Sequence, residues 1–146
     1  MKIRKATLKD AGKVAKIEYD SGYRWRDNNE NKEAKRILNS KWSETYILEE
    51  KKREVAYFTI AFKKKGCYVN FFSVTKSRQR KGVASRLMGK IISMARKNKC
   101  KKIGLTVWAK NFPAIGLYNK FEFYITDIKR RYYPNKDDKL RMEKIL

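Results

Sequence analysis

Apolar residues recur along this chain at two spacings, every second residue and every third or fourth, and the switches between them mark out a succession of short elements. Met1 to Ala6 alternates apolar and basic residues as a short strand does. Thr7-Leu8-Lys9-Asp10 then has the form of a capping box with Asp in place of Glu. Leu8, Ala11, Val14, Ala15, Ile17 and Glu18-Tyr19 follow as a helical stripe, which Ser21-Gly22 ends. The stretch from Arg26 to Ser40 is highly charged, with Ala34, Ile37 and Leu38 as its clear apolar face, and predicts a second, loosely attached helix.

Thr45 to Leu48 and Val55 to Phe62 are rich in β-branched and aromatic residues and read as strands, with the charged run Glu49 to Glu54 as the hairpin turn between them. Lys63-Lys64-Lys65-Gly66 supplies the next turn. Cys67 to Val74 is apolar on both faces at Val69, Phe71, Phe72 and Val74, the pattern of a buried strand. Arg80 to Lys97 is a long amphipathic helix through Val83, Leu87, Met88, Ile91, Ile92 and Ala95, and Ile103 to Trp108 is a further strand. Asn111-Phe112-Pro113 starts another helix, with Asn as N-cap and Pro in the first turn, and Ala114 to Lys120 continues it. Phe121 to Ile128 and Leu140 to Ile145 close the chain as two strands around a Tyr-Tyr-Pro-Asn loop. The order β-α-α-β-β-β-α-β-α-β-β is that of a mixed α/β domain. With 146 residues, no repeat and no linker, residues 1–146 read as one domain.

Charge changes the picture more than composition does. Lys and Arg number 38 against 15 Asp and Glu, a formal net charge of +23, so the surface attracts polyanions: RNA, ribosomes, DNA, anionic membrane or a ligand carrying several phosphates. Individual runs such as Lys63-Lys64-Lys65 or Arg96 to Lys102 most often just solvate a face. Two cysteines, Cys67 and Cys100, make neither a disulfide framework nor zinc-like spacing, and with no His the expectation is no metal site. No secretory segment and no apolar run of about eighteen residues is present, so the chain reads as cytoplasmic with no membrane span.

The junction from Val74 to Ala84 carries candidate chemistry: a strand runs through a basic, glycine-containing turn into a long helix. A helix N-terminus presents unpaired N–H groups and a positive dipole end, which hold phosphate oxygens. Gly82 and Ala84 let a ligand approach the backbone, and Arg78, Arg80 and Lys81 add positive charge. The turn suits a pyrophosphate. It lacks the Gly-Lys-Ser/Thr of a Walker A loop and the three glycines of a Rossmann fingerprint.

Gln79-Arg80-Lys81-Gly82-Val83-Ala84 resembles the hallmark Gln/Arg-x-x-Gly-x-Gly/Ala of the GNAT acetyltransferase superfamily. Asn111 to Phe123 resembles that family's second motif, Asn-x-x-Ala-x-x-Leu-Tyr-x-x-x-Gly-Phe, with Glu122 standing where Gly is usual. Should that position need φ > 0, Glu costs about 1 kcal/mol or more. The resemblance implies a central, mostly antiparallel sheet with splayed strands flanked by helices. It implies that backbone N–H groups of Gln79, Arg80, Lys81, Gly82, Val83 and Ala84 bind the pyrophosphate of acetyl-CoA, and that Phe72, Ser73 and Val74 pair with its pantetheine arm. By the same resemblance Asn111 binds or orients the cofactor and Tyr118 is the acid that protonates the departing thiolate.

Many relatives carry a Glu base on the strand that here reads Tyr68-Val69-Asn70-Phe71-Phe72-Ser73, which has no carboxylate, so a water relay is expected in its place. A weak base favours an easily deprotonated amine: at pH 7 a lysine costs roughly 4.6 kcal/mol to deprotonate, an α-amine about 1 kcal/mol. Arg130 to Met142 resembles the Tyr-Tyr and acidic-apolar pattern of protein N-terminal acetyltransferases, the ribosomal-protein alanine branch included, which implies that Tyr132 and Tyr133 hold a substrate peptide. Paired aromatics packing a strand end is the equal alternative. The expectation is transfer of acetyl from acetyl-CoA to a protein or peptide N-terminal α-amine by direct attack, with backbone N–H groups polarising the thioester. A polyamine or other small amine is an alternative acceptor, disfavoured by a surface that repels polycations. A non-catalytic GNAT-like RNA- or ribosome-binding module is the alternative from another class, and ribosome association also fits an enzyme. Monomer and homodimer both remain open.

Overall fold

The computed structural model describes residues 1–22 and 30–146. The alternating segments form strands β1 (Lys2–Lys5), β2 (Glu44–Glu50), β3 (Arg53–Lys63), β4 (Gly66–Val74), β5 (Lys102–Trp108), β6 (Tyr124–Lys129) and β7 (Lys139–Ile145). The helical stripes form α1 (Ala11–Ser21), α2 (Glu30–Leu38), α3 (Val83–Lys97) and α4 (Phe112–Lys120). The element order is the expected one, with short 3-10 turns added at Leu8–Asp10 and Lys76–Arg78. The strands form a mixed sheet in the order β1-β2-β3-β4-β5-β7-β6. Pairing is antiparallel for β1 with β2, β2 with β3, β5 with β7 and β6 with β7, and parallel for β4 with β5.

Two compact units share the chain. One comprises Met1–Ala61 and Phe71–Leu87, the other Phe62–Asn70 and Met88–Leu146. In the first, Ala11, Val14, Ala15 and Ile17 of α1 pack with Ala6, Ala34, Ile47 and Tyr57. A fully buried Ile or Tyr here contributes about 1.5–3 kcal/mol. Ala34 is 1% and Ile37 4% exposed, so α2 is docked on the core rather than loosely attached; Arg26 to Asn29 of that expected helix lie outside the described residues. Leu8 and Tyr19, included in the α1 stripe, are instead exposed. The α1 entry is secured by Asp10, whose carboxylate accepts from the Thr7 N–H at 2.8 Å and from the Arg4 guanidinium at 2.8 and 3.0 Å. Arg4 Nε also donates to Glu49 at 2.6 Å. The Arg4 bonds hold the Asp10 carboxyl down at about 2.

In the second unit β4 pairs with β5 from Cys67↔Ile103 to Val69↔Leu105, and β5 pairs with β7 along its whole length. Ile103, Leu105 and Met142 are buried, while β6 is exposed at every residue.

Three boundaries differ from expectation for a backbone reason, and one strand differs in burial. β2 and β3 run closer together than the charge pattern implied, leaving a two-residue turn at Lys51 and Lys52, both at positive φ (49° and 62°), the conformation that suits a tight hairpin. α3 begins at Val83 rather than Arg80, because Arg80 (φ 60°) and Gly82 (φ 81°) are left-handed. β6 begins at Tyr124 rather than Phe121, because Glu122 is left-handed at φ 67°. β4 is less enclosed than its composition implied, with Asn70 exposed and Phe71, Phe72 and Ser73 half-buried. Among the described residues no helix is long and apolar enough to cross a membrane.

Candidate active site

Leaving β4, the chain makes a 3-10 turn closed by the Arg78 N–H on the Thr75 carbonyl at 2.9 Å. Gln79 is extended, Arg80 left-handed, and Gly82 left-handed again before its carbonyl accepts from the Arg86 N–H at 3.1 Å and opens α3. The N–H groups of Val83, Ala84 and Ser85 precede that first helical bond and point out of the helix end. A Cβ added to Gly82 would meet nothing within 4 Å, so glycine is there for its backbone conformation and for the bare surface it leaves, not for packing. Arg80, a non-glycine in the same region, holds about 1–2 kcal/mol of strain. Such a concave run of amide N–H groups at a helix start binds anions.

Side chains brace the turn. Gln79 Nε2 donates to the Val74 carbonyl at 2.9 Å and to the Ser21 carbonyl at 3.3 Å, tying the turn to the end of β4 and the end of α1. Arg78 is ion-paired with Glu50, so its charge is compensated and it braces the turn, whereas Arg80 and Lys81 are exposed. Val74 is buried beside the half-buried Phe72 and Ser73.

Sequence reasoning missed the carboxylate of this region. Glu18, on the buried face of α1, is 3% exposed, and its Oε1 accepts from Tyr57 Oη and from Ser73 Oγ, both at 2.5 Å. β4 itself has no carboxylate, as expected, yet α1 delivers one to Ser73. The signal was present in the spacing: Glu18 falls one helical turn after Val14 and Ala15, on the face that must be buried.

In the second unit, Asn111 caps α4, its Oδ1 accepting from the Ala114 N–H at 3.3 Å. Tyr118 is 6% exposed, packed against Phe123 at 5.7 Å between ring centroids, and burial pushes its phenol up to about 12. It is therefore neutral, with its proton in place, throughout the neutral range. Tyr132 and Tyr133 meet edge to face at 5.1 Å, with Lys139 Nζ 4.2 Å from the Tyr132 ring centre. Tyr132 is exposed and Tyr133 half-buried.

A second missed residue organises that loop. Asp137 accepts from Trp108 Nε1 at 2.9 Å and Asn135 Nδ2 at 2.7 Å, and pairs with Lys110 at 3.0 Å. Lys110 above all holds its carboxyl below the ordinary range. The loop carrying Tyr132 and Tyr133 is thereby moored to the β5–α4 junction, next to Asn111. No motif marks Asp137, because its partners are scattered along the chain.

The acetyltransferase (GNAT) family model matches residues 13–123. The ribosomal-protein-S18-alanine N-acetyltransferase from Escherichia coli has the same fold, with a TM-score of 0.85 at 22% identity over 97% of this chain and 91% of that one. Ard1 from Thermoplasma volcanium gives 0.82 at 23% identity, covering 99% and 97%. The PaiA N-acetyltransferase from Thermoplasma acidophilum, solved in complex with coenzyme A, gives 0.81 at 14% identity, covering 99% and 98%. No curated protein matches in sequence. The family match over most of the chain, on a fold that carries the turn before α3, places this protein in the GNAT acetyltransferase family.

Proposed function

We propose that this chain transfers acetyl from acetyl-CoA to a primary amine, and that the acceptor is the N-terminal α-amine of a protein or peptide. The observation that carries the reading is the turn from Gln79 to Ala84, where left-handed Arg80 and Gly82 set amide N–H groups around an open helix start. The pyrophosphate of acetyl-CoA binds there, with Phe72, Ser73 and Val74 along the pantetheine arm; orienting the cofactor is the role that family resemblance gives Asn111.

Tyr118 supplies the proton for the departing thiolate. With the phenol at about 12 and a thiol near 8.5, complete transfer is uphill by roughly 5 kcal/mol, so its main contribution is a hydrogen bond that strengthens as negative charge develops on sulfur. The amine attacks directly, and the N–H groups polarise the thioester carbonyl. Tyr132 and Tyr133 hold the first residues of the acceptor, on a loop braced by Asp137. Similarity to an enzyme named for acetylating the alanine of ribosomal protein S18 supports a protein acceptor, and the net charge of +23 favours one near RNA.

Calorimetric titration of acetyl-CoA into the wild type and a Gly82→Glu variant tests the reading. Glu at φ 81° is strained and sets a carboxylate where the phosphates bind, so micromolar binding by the wild type and none by a folded variant is the expected result. No binding by the folded wild type overturns it. Peptides ending in different α-amines, a polyamine and a lysine side chain then rank the acceptors.

A further inference from the structure

The buried Glu18 has a feature that packing alone does not require. A carboxylate out of water is stable only when its oxygens are hydrogen-bonded, and here one oxygen, Oε1, takes two short hydroxyl bonds, from Tyr57 and from Ser73. Tyr57 is 0% exposed, so its hydroxyl belongs to the interior. Ser73 is half-buried, so the residue reaches the surface of β4 while its hydroxyl donates inward to Glu18. A serine hydroxyl has one proton, and this one is spent on Glu18. What Ser73 offers outward is therefore its oxygen lone pairs, made more basic by the carboxylate behind them. A group that presents lone pairs outward and passes its own proton inward is arranged to take a proton from a donor.

We propose that Ser73 Oγ receives the proton that the acceptor amine must lose, while the Ser73 proton moves to Glu18 Oε1. The proposal rests on the acetyl-transfer reading above, in which Ser73 flanks the pantetheine arm. As the ammonium N–H bond breaks, a new Oγ–H bond forms, the old Oγ–H bond breaks and Oε1–H forms. The freed nitrogen lone pair attacks the thioester carbonyl, the N–C bond forms, and the C–S bond breaks on collapse of the tetrahedral intermediate. The thiolate takes a proton through Tyr118, which is replaced by the second nitrogen proton, and Glu18 returns its proton to solvent. The sum is ammonium plus acetyl-CoA giving amide, thiol and one proton. Helix α1 thus supplies the base function that β4 lacks, Ser73 touching the amine and Glu18 acting through it, with Tyr57 fixing the carboxylate's position.

The test is a pH series on the full chain. Acetyl-CoA affinity is measured by calorimetry for the wild type, Glu18→Gln and Ser73→Ala, and peptide kcat/KM is followed from about pH 6 to about pH 10, spanning the α-amine titration near 7.7–8.0. Glu18→Gln is expected to keep wild-type acetyl-CoA affinity, Ser73→Ala to stay within about threefold of it because strand backbone rather than the hydroxyl pairs with the pantetheine arm, and both to lose about 10²-fold in kcat/KM at neutral pH, the usual contribution of a positioned base. The deficit shrinks to less than about fivefold at the alkaline end, where the amine arrives already neutral. A merely structural role gives a deficit that does not change with pH. Ser73→Ala, a small change at a half-buried site, keeps the test decisive should Glu18→Gln fail to fold. A Ser73→Ala variant with undiminished kcat/KM, or a deficit constant across pH, overturns the proposal while leaving acetyl transfer intact. A wild type that binds acetyl-CoA yet acetylates no amine overturns both.

Discussion

In the first compact unit Asp10 and Glu18 lie against the core, whereas in the second Asp137 sits among solvent-exposed partners. Asp10, with a side chain 8% exposed, is gripped by Arg4 beside the buried Ala11, and Glu18 is held by hydroxyls of the buried Tyr57 and the half-buried Ser73. Asp137 binds Trp108, 41% exposed, and Lys110, whose side chain is 62% exposed. Both aspartates titrate below their ordinary range, and both shifts come first from a cation. The same direction of shift carries different weight, because a pair near the core loses little to solvent screening while a surface pair is screened and easily replaced by water. The buried anchors belong to the stability of the unit that carries the turn from Gln79 to Ala84. The surface anchor sets the posture of a loop.

The sharpest test of that contrast is Asp10→Asn. Its carboxyl titrates at about 2 when folded and near 3.8 in the unfolded chain, so on acidification the unfolded chain takes up the proton first. The ionised carboxylate therefore stabilises the fold above about pH 4, and that contribution is lost as pH falls towards about 2. Asn at this site is expected to lower stability by about 1–2 kcal/mol at pH 7 in urea unfolding, with wild type and variant converging near pH 2. A gap that persists unchanged at low pH would show that packing, not charge, is what Asp10 supplies.

The left-handed corners extend the comparison. Both units hold non-glycine residues there, Arg80 beside Gly82 in the first and Glu122 at φ 67° in the second, the latter with a 3.8 Å ion pair to Lys144 from a side chain that is 86% exposed. Glu122→Gly relieves the backbone strain and forfeits little, so a gain of about 1 kcal/mol in thermal or urea unfolding is expected. A loss instead would mean that the Lys144 contact outweighs the strain. The smallest effect on folding is expected for Asp137→Asn. Its melting temperature should be indistinguishable from wild type, while peptide KM rises severalfold as the loop bearing Tyr132 and Tyr133 loses its mooring, and acetyl-CoA affinity stays constant. A fall in acetyl-CoA affinity would assign the loop to the cofactor rather than the peptide.

Much of this was legible in the one-dimensional pattern. The order of strands and helices follows from local periodicity, since burial of one face imposes a period of two or 3.6 wherever an element forms. The turn at Gln79 to Ala84 and the α4 start at Asn111 were readable because glycine and Asn-x-Pro act on the backbone of their own neighbours. The boundaries at Arg80 and Glu122 were not readable from periodicity, which carries no sign of a non-glycine residue in a left-handed conformation; at Glu122 that conformation closes α4, with the Phe123 N–H on the Tyr118 carbonyl at 2.9 Å. Glu18 was counted among the apolar stripe of α1 without a reason for a carboxylate to be there, and Asp137 was one acid in a charged loop.

By itself, then, the sequence determined the class of fold, the succession of elements and the glycine-bearing turn before α3, each of which depends on residues within a few positions of one another. Only the tertiary structure decided that Glu18 meets Tyr57 and Ser73, 39 and 55 residues away, and that Asp137 moors its loop to Trp108, 29 residues back. The reason is physical: a hydrogen bond between side chains depends on where folding brings them, and a carboxylate's partners leave no periodic trace along the chain.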